Sequence, residues 1–375
     1  MEENKIFASR FKQARVIQKF SMDDLVETLR TSGTNLSKQA ISKYENGDSI
    51  PSARNLLALA RALQKPVEYF FKEPTLDLEL LEFRKRKTKL SKKEEESIIG
   101  YGQDYFERYM EIESILGENT TNPLDGLISK VDREEDVDAA AQKVRAKWEL
   151  SDLPIASVTE TLEDNHIKIL VLEADEAFDG FVSLDEKHIV ICANQHQLPS
   201  DKATDKETGD DKKFDHARLR LTLLHEVAHR VLQFADSFTE KQKESLCSRF
   251  AGALLLPEAC LRESIGDTRR AKITLYELEA IKREYGISLK AIAMRLMQVG
   301  LISKQVASRF FIHYRKTGWG KRVDEPGTYL GNEAPTRFKR LIGKALAQGL
   351  IDLEKSAELL GTSIEEAAKR YEIIE

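Results

Sequence analysis

The chain of 375 residues is long enough for two or three domains, and its 41% hydrophobic and 32% charged residues describe a globular protein with a sizeable core. Three cysteines without a C-x-x-C pair exclude a disulfide framework and point to a reducing cytoplasm. No apolar run approaches the ~18 residues of a membrane span, and the charged N-terminus lacks a signal-peptide core. The net charge of −5 is unevenly spread: residues 1–75 carry 12 Lys and Arg against 9 Asp and Glu, a balance of +3, which leaves −8 for the rest and hints at an anionic partner for the first part.

Ile6, Phe7, Phe11, Ala14 and Ile17 form a helical stripe. Ser21 suits the N-cap of a second helix that turns Leu25 and Leu29 inward, and a polar turn follows at 31–35. Residues 36–47 read as a short helix closed by Gly47. Pro51 opens a fourth helix with Leu56, Leu57, Leu59, Ala60 and Leu63 as its apolar face, and Val67, Phe70 and Phe71 belong to a short fifth. Five short helices in about 70 residues, the second and third joined by a turn, make a helix-turn-helix arrangement.

Ser37 to Gly47, Pro51 and the Leu-rich helix after it resemble the phage-repressor-like DNA-binding domain of XRE, or Cro/cI, type. That resemblance implies that the third helix enters the major groove of a double-stranded operator, with Ser37, Lys38, Gln39, Ser42 and Lys43 facing DNA, and that the protein acts as a homodimer on a two-fold site. These side chains have the matching chemistry. Gln39 can bond an adenine edge in bidentate fashion, Lys38 can reach guanine or phosphate, and Ser42 and Lys43 suit phosphate. Two features depart from the pattern. The turn is several residues longer than the tight one usual there, and Met22 replaces a phosphate-contacting Gln.

A run of mixed charge reaches from Leu80 to Glu96 and reads as a solvated helix face; a helical pattern follows from Ile98 to Leu116, breaks at 119–123, and resumes at 135–149 with Ala140, Val144 and Trp148 inward. Beyond it, Pro154 and Ile155 start a helix to Leu162, and residues 167–172 form a strand with which 178–182 and 188–192 can pair. Residues 200–215 read as a charged, mobile loop.

Residues 221–232 read as a helix carrying His225 and His229 at i and i+4, on one face, where two imidazoles can hold one metal ion. With Glu226 this is the H-E-x-x-H pattern of zinc hydrolases. Fifteen residues later, 244–257 read as a second helix, on which Glu244 can complete a His-His-Glu set; Cys247 is a competing soft ligand. His166, His188, His196, His216 and His313 are expected as surface or supporting residues.

The coupling of His225-Glu226-x-x-His229 to Glu244-x-x-Cys247-x-x-Phe250-Ala251-x-x-Leu254-Leu255-x-Pro257 resembles the ImmA/IrrE-type metallopeptidases over roughly residues 150–300. The resemblance implies a zincin-like fold in which His225, His229 and Glu244 bind zinc and Glu226 takes a proton from water and passes it to the leaving amine.

Amphipathic helices are expected at 273–285, 288–298 and 300–314, a Gly-rich charged loop at 317–335, and a helical packing module at 338–371. The fold class is therefore mainly α with a small β-sheet (α+β), in four parts: 1–73 for DNA binding, 74–150 as a helical connector, 151–315 as the metallopeptidase domain and 316–375 as a helical C-terminal module. The leading function is a cytoplasmic transcriptional regulator fused to a zinc endopeptidase. It would cleave a repressor- or antitoxin-type protein, or itself, in a phage, mobile-element or toxin–antitoxin-like locus. The other reading is a non-catalytic transcription factor or antitoxin with a structural or sensory metal site.

Overall fold

The computed structural model describes residues 2–76, 82–85, 90–118, 122–183, 188–196, 215–320 and 324–372. The charged loop expected at 200–215 lies outside the described residues except for Asp215. Sixteen α-helices and six short strands are present among the described residues, a mainly helical α+β protein. The chain divides into two compact units, one of residues 1–80, 85–118 and 342–375, the other of 81–84 and 119–341.

The first unit opens with α1 (Glu2–Ile17), α2 (Met22–Thr31), α3 (Lys38–Glu45), α4 (Ala53–Ala62) and a 3-10 turn at Val67–Phe71. Ser21, Ser37 and Ser52 cap α2, α3 and α4, each side chain accepting a backbone N–H that the helix start leaves unsatisfied. Phe7, Phe11, Leu25, Leu29, Ile41, Leu59 and Phe70 are fully buried at the centre. Each contributes roughly 1.5–3 kcal/mol by leaving water.

Helix α5 (Lys92–Ile115) lies along α1, where Gly100 leaves room for Ile17. Ser91 to Lys93 are exposed, as expected of a solvated charged face, but residues 82–85 of the same run form a strand and not a helix, which corrects that part of the expectation. Further along, charge is buried: Glu107 pairs with Arg10 at 2.6 Å, and Asp104 takes Lys65 at 2.8 Å and Arg108 at 3.0 Å. Burial alone would raise the Asp104 carboxyl, but Arg108 and Lys65 outweigh it and hold it below its usual value. Its stabilising contribution is therefore present at neutral pH and lost as pH falls through the lowered folded-state value. Asp104→Asn is expected to cost about 2 kcal/mol, read as a lower thermal midpoint by far-ultraviolet circular dichroism near neutral pH, with the difference shrinking in acid.

In the second unit, β1 (Glu82–Lys85, of which residues 82–84 belong here), β3 (Lys168–Leu172), β4 (Phe178–Val182) and β5 (Val190–Asn194) form one sheet; β2 (Ser129–Val131) pairs in parallel with β6 (Leu232–Phe234). The order is β1-β4-β5-β3, with β5 parallel to β3 and antiparallel to β4. This corrects the expectation that residues 178–182 would pair with 167–172. All five residues of β5 are buried, so β5 takes the inner place between them. Helices α6 (Asp136–Lys147), α7 (Val158–Asp164), α8 (His216–Val231), α9 (Glu240–Leu255), α10 (Glu258–Ile265), α11 (Leu275–Tyr285), α12 (Leu289–Gln298) and α13 (Lys304–Thr317) complete it. Helix α7 starts at Val158, not at Pro154, because Ser157 is its cap and the backbone N–H groups of Val158 and Thr159 go to Glu333.

The stretch 324–335 is a loop, as expected, and is anchored inside this unit by Glu325, which accepts from Lys282 and the Leu289 N–H, and by buried Glu333. Helix α14 (Arg337–Ala347) follows. Helices α15 (Leu353–Leu360) and α16 (Ile364–Arg370) then return to the first unit, where Lys355 meets Glu111 of α5 at 2.7 Å and Arg108 donates to the Leu359 carbonyl. Helix α15 is thus a packing partner of α5, and α16 packs on α15.

Candidate metal centre and DNA-facing helix

Asp215 caps α8, accepting the Arg218 N–H, and Leu219, Leu223, Val227 and Val231 bury the helix and fix its rotation. That places His225 (2% side-chain exposure) and His229 (15%) on a second, partly open face with ring centroids 4.9 Å apart. Glu244 on α9 reaches both: its Oε2 is 3.3 Å from His225 Nε2, and its Oε1 is 3.4 Å from His229 Nε2. A tetrahedral zinc ion with bonds of about 2.0–2.1 Å sets its ligand atoms about 3.3–3.4 Å apart, the separation of each Nε2 from the Glu244 oxygen it faces.

Ser248 Oγ donates to the Glu244 carbonyl and stands 3.1 Å from His225 Nδ1. In the tautomer that carries its hydrogen on Nδ1, the ring donates to this hydroxyl and Nε2, on the Glu244 side, is the nitrogen able to ligate a metal. Cys247 offers a second set, since one ligand atom each of His225, His229 and Cys247 lie within 4.8 Å of one another. Its sulfur is 3.8 Å from His229 Nδ1, however, the nitrogen turned away from Glu244. Glu244 therefore fits a centre shared by both Nε2 atoms better than Cys247 does.

The surroundings hold both helices in register. Asp138 on α6 accepts Arg249 from α9 at its Oδ2 and Arg295 from α12 at its Oδ1, both within 2.7 Å. Arg220 on α8 is fully buried and donates to Glu333, at 2.5 Å, and to the carbonyls of Ile155 and Tyr285. Glu226 is 1% exposed and lies under β4. A Cβ at Gly180 would come within 2.9 Å of the Cys192 carbonyl on β5, so glycine is required there by the neighbouring strand, while Thr222 and Glu226 Oε1 of α8 would lie 3.3 and 3.5 Å away. Burial pushes the Cys192 thiol well above its ordinary value, with Glu226 adding to the rise, so it stays protonated.

Of the remaining histidines, His196 packs against Asp179 at 3.1 Å, His166 lies 3.5 Å from Arg337, and His313 stacks edge-on against Trp319. Asp179 also binds Arg218 of α8 at 2.6 Å. Sequence reasoning missed Gly180, Asp179, Arg220 and Glu333. A glycine inside a β-rich run was a usable signal for close approach, whereas nothing local marks Glu333 as the partner of Arg220.

In the first unit, α3 buries Ile41 and Tyr44 and exposes Lys38, Gln39 and Lys43, with Ser42 partly covered. Ser37 caps the helix, its side chain accepting from the Ala40 N–H. Lys38 pairs with Asp23 at 2.7 Å, but both are well exposed, and such a pair is worth little against a phosphate or base. Met22 packs on the core of the unit and so takes no place in the exposed row.

An exposed recognition-type helix in one unit, and an H-E-x-x-H helix facing a glutamate helix in the other, define a DNA-binding module joined to a metallopeptidase-like domain. The comparisons with known families agree: residues 12–70 match the family described as helix-turn-helix, and residues 211–297 match the IrrE N-terminal-like domain. The chain thus joins an XRE-type helix-turn-helix to an ImmA/IrrE-like domain. No curated protein matches it. Among the described residues, no helix is long and apolar enough to cross a membrane.

Proposed function

We propose that this chain is a DNA-binding transcriptional regulator with a zinc-dependent endopeptidase domain that cleaves a repressor- or antitoxin-type protein. Residues 1–73 serve DNA and residues 151–315 serve catalysis. The observation that carries this is the approach of both histidine Nε2 atoms to the two oxygens of Glu244, at 3.3 and 3.4 Å, beside Glu226 and in one chain with a repressor-like helix. His225, His229 and Glu244 would hold the ion, and Ser248 would keep His225 in the ligating tautomer. Zinc, when bound, polarises a peptide carbonyl and acidifies water. Glu226 takes the water proton and returns it to the leaving amine. Ser37, Lys38, Gln39, Ser42 and Lys43 face the operator, and the protein acts as a homodimer in the cytoplasm.

Two measurements test the halves separately. Metal analysis of the purified protein is expected to find about one zinc per chain and to lose it in His229→Ala; a chain that takes up no zinc would favour a non-catalytic regulator. On an operator selected from randomised duplexes, Gln39→Ala is expected to weaken binding by about 5- to 100-fold at fixed salt and to relax preference at one base pair. Lys38→Ala is expected to reduce the salt dependence of binding if it meets phosphate. Unchanged affinity in both variants would turn the first unit into a protein-recruiting module.

A further inference from the structure

The second unit holds a groove of about 340 Å³ between the start of α11 and the middle of α13, and none of its lining residues belongs to the metal centre. Its two walls are joined at the base. The Arg270 N–H donates to the Leu301 carbonyl at 2.7 Å, and Arg270 bridges Ile302 in parallel fashion, so the segments leading into α11 and α13 start side by side. Ile273, Leu278, Val306, Phe310 and Trp319 make the apolar lining. Trp319 is set back against α13 by the turn that ends this helix. Gly318 and Gly320 on either side of it are left-handed, and a Cβ at Gly320 would come within 2.7 Å of the Tyr314 hydroxyl. The Trp319 ring meets His313 and Tyr314 edge-on, at 5.3 and 5.9 Å.

The rim is cationic. Lys272 and Arg309 line it, with His313 beside them, and no Asp or Glu does so among the described residues. Cations on the neighbouring elements find carboxylates: Arg270 takes Glu277, Lys282 takes Glu325 at 3.2 Å, and Arg283 takes Glu279 at 2.9 Å. Lys272 and Arg309 are exposed and have no hydrogen-bond or ion-pair partner among the described residues. Apolar walls alone would suit any hydrophobic group, but two unpaired cations above them select an anion. The volume lies at the lower end of the range for small-molecule pockets, about 300–1,000 Å³, which suits one small molecule.

We propose that this groove binds a small, flat organic carboxylate, with its ring against Phe310 and Trp319 and its charge on Arg309 and Lys272. Aromatic walls favour a planar ring, and a guanidinium matches the two oxygens of a carboxylate. The site gives the chain a third kind of ligand besides DNA and protein, and it stands whether or not Glu226 is catalytic.

The probe is 1-naphthoate, with 1-naphthalenemethanol as its uncharged counterpart, each titrated into the full chain by calorimetry at fixed salt. The acid is expected to bind at least about 5-fold more tightly than the alcohol, the discrimination that two exposed cations supply. Lys272→Gln with Arg309→Gln, both at exposed positions, is expected to bring the two affinities together and to leave that of the alcohol unchanged. Location is read separately. The chain has two tryptophans, of which Trp319 lines the groove and Trp148 does not. In nitrogen–proton NMR, Trp319→Phe assigns the two indole N–H signals, and naphthoate is expected to shift that of Trp319 and leave that of Trp148 in place. No binding of the acid, equal affinity of acid and alcohol in the parent, a preference that survives the double variant, or an unshifted Trp319 signal overturns the proposal. A peptide with a free C-terminal phenylalanine that binds at least about 10-fold more tightly than naphthoate would assign the groove to a protein chain end and overturn the small-molecule reading.

Discussion

Glu226→Gln is expected to retain about one zinc per chain and to lower turnover of a cleaved repressor-type protein by about 10²–10⁴-fold, the range in which a positioned general base contributes. The argument is geometric. Glu226 follows His225 on α8, is 1% exposed, and is covered by β4 at Gly180, so its carboxylate is held in a buried place between helix and strand. The amide replaces it at nearly constant volume, keeps the packing and cannot accept a proton. Mass spectrometry of the products, alongside metal analysis of the same preparation, separates the outcomes. Loss of cleavage with zinc retained assigns the base. Loss of both would mean that Glu226 acts through the fold of the centre. Equal regulation of a target promoter by parent and variant would sink the catalytic reading in favour of a structural or sensory site.

Glu333→Ala is expected to destabilise the second unit by about 3–5 kcal/mol, the cost of leaving a buried charge without its partner. Glu333 accepts from Arg220, from the N–H groups of Val158 and Thr159, and from Ser157, and both members of the ion pair are sealed from water. Removing the carboxylate strands the guanidinium inside the protein and leaves the start of α7 without its acceptor. The two tryptophans of the chain, Trp148 and Trp319, both belong to this unit, so the fluorescence transition in urea reads its unfolding alone. A midpoint indistinguishable from the parent would show that Arg220 finds compensation elsewhere. Because Arg220 lies five residues before His225 on α8, weaker zinc retention is expected to accompany the loss.

What could be read in the sequence was what depends on local spacing. The cap Ser21 and the closing Gly47, the stripes that bury Phe7, Leu25 and Leu59, and the i, i+4 placement of His225 and His229 all follow from the pitch of a helix. So does the exposure of Lys38, Gln39 and Lys43, since Ile41 and Tyr44 claim the opposite side of α3. The approach of Glu244 to both histidines was anticipated because it opens a second helix of matching pattern, and a two-histidine site needs a further donor.

Tertiary structure decided the rest. The placement of β5 between β3 and β4 is a choice among pairings that one-dimensional patterns leave degenerate, and burial of all five β5 residues settles it. The late start of α7 was set by Glu333, 175 residues beyond Val158. The preference for Glu244 over Cys247 depends on which ring nitrogen each one faces, a matter of rotamer and helix packing. The connector strand β1 acquires its place beside β4 only when distant segments meet. The sequence by itself determined the helices and the chemistry they carry, because periodicity and capping act over a few residues. The tertiary structure alone decided which buried charges are paired, which strand is central and what lies against the H-E-x-x-H helix, because those outcomes depend on contacts between residues far apart in the chain.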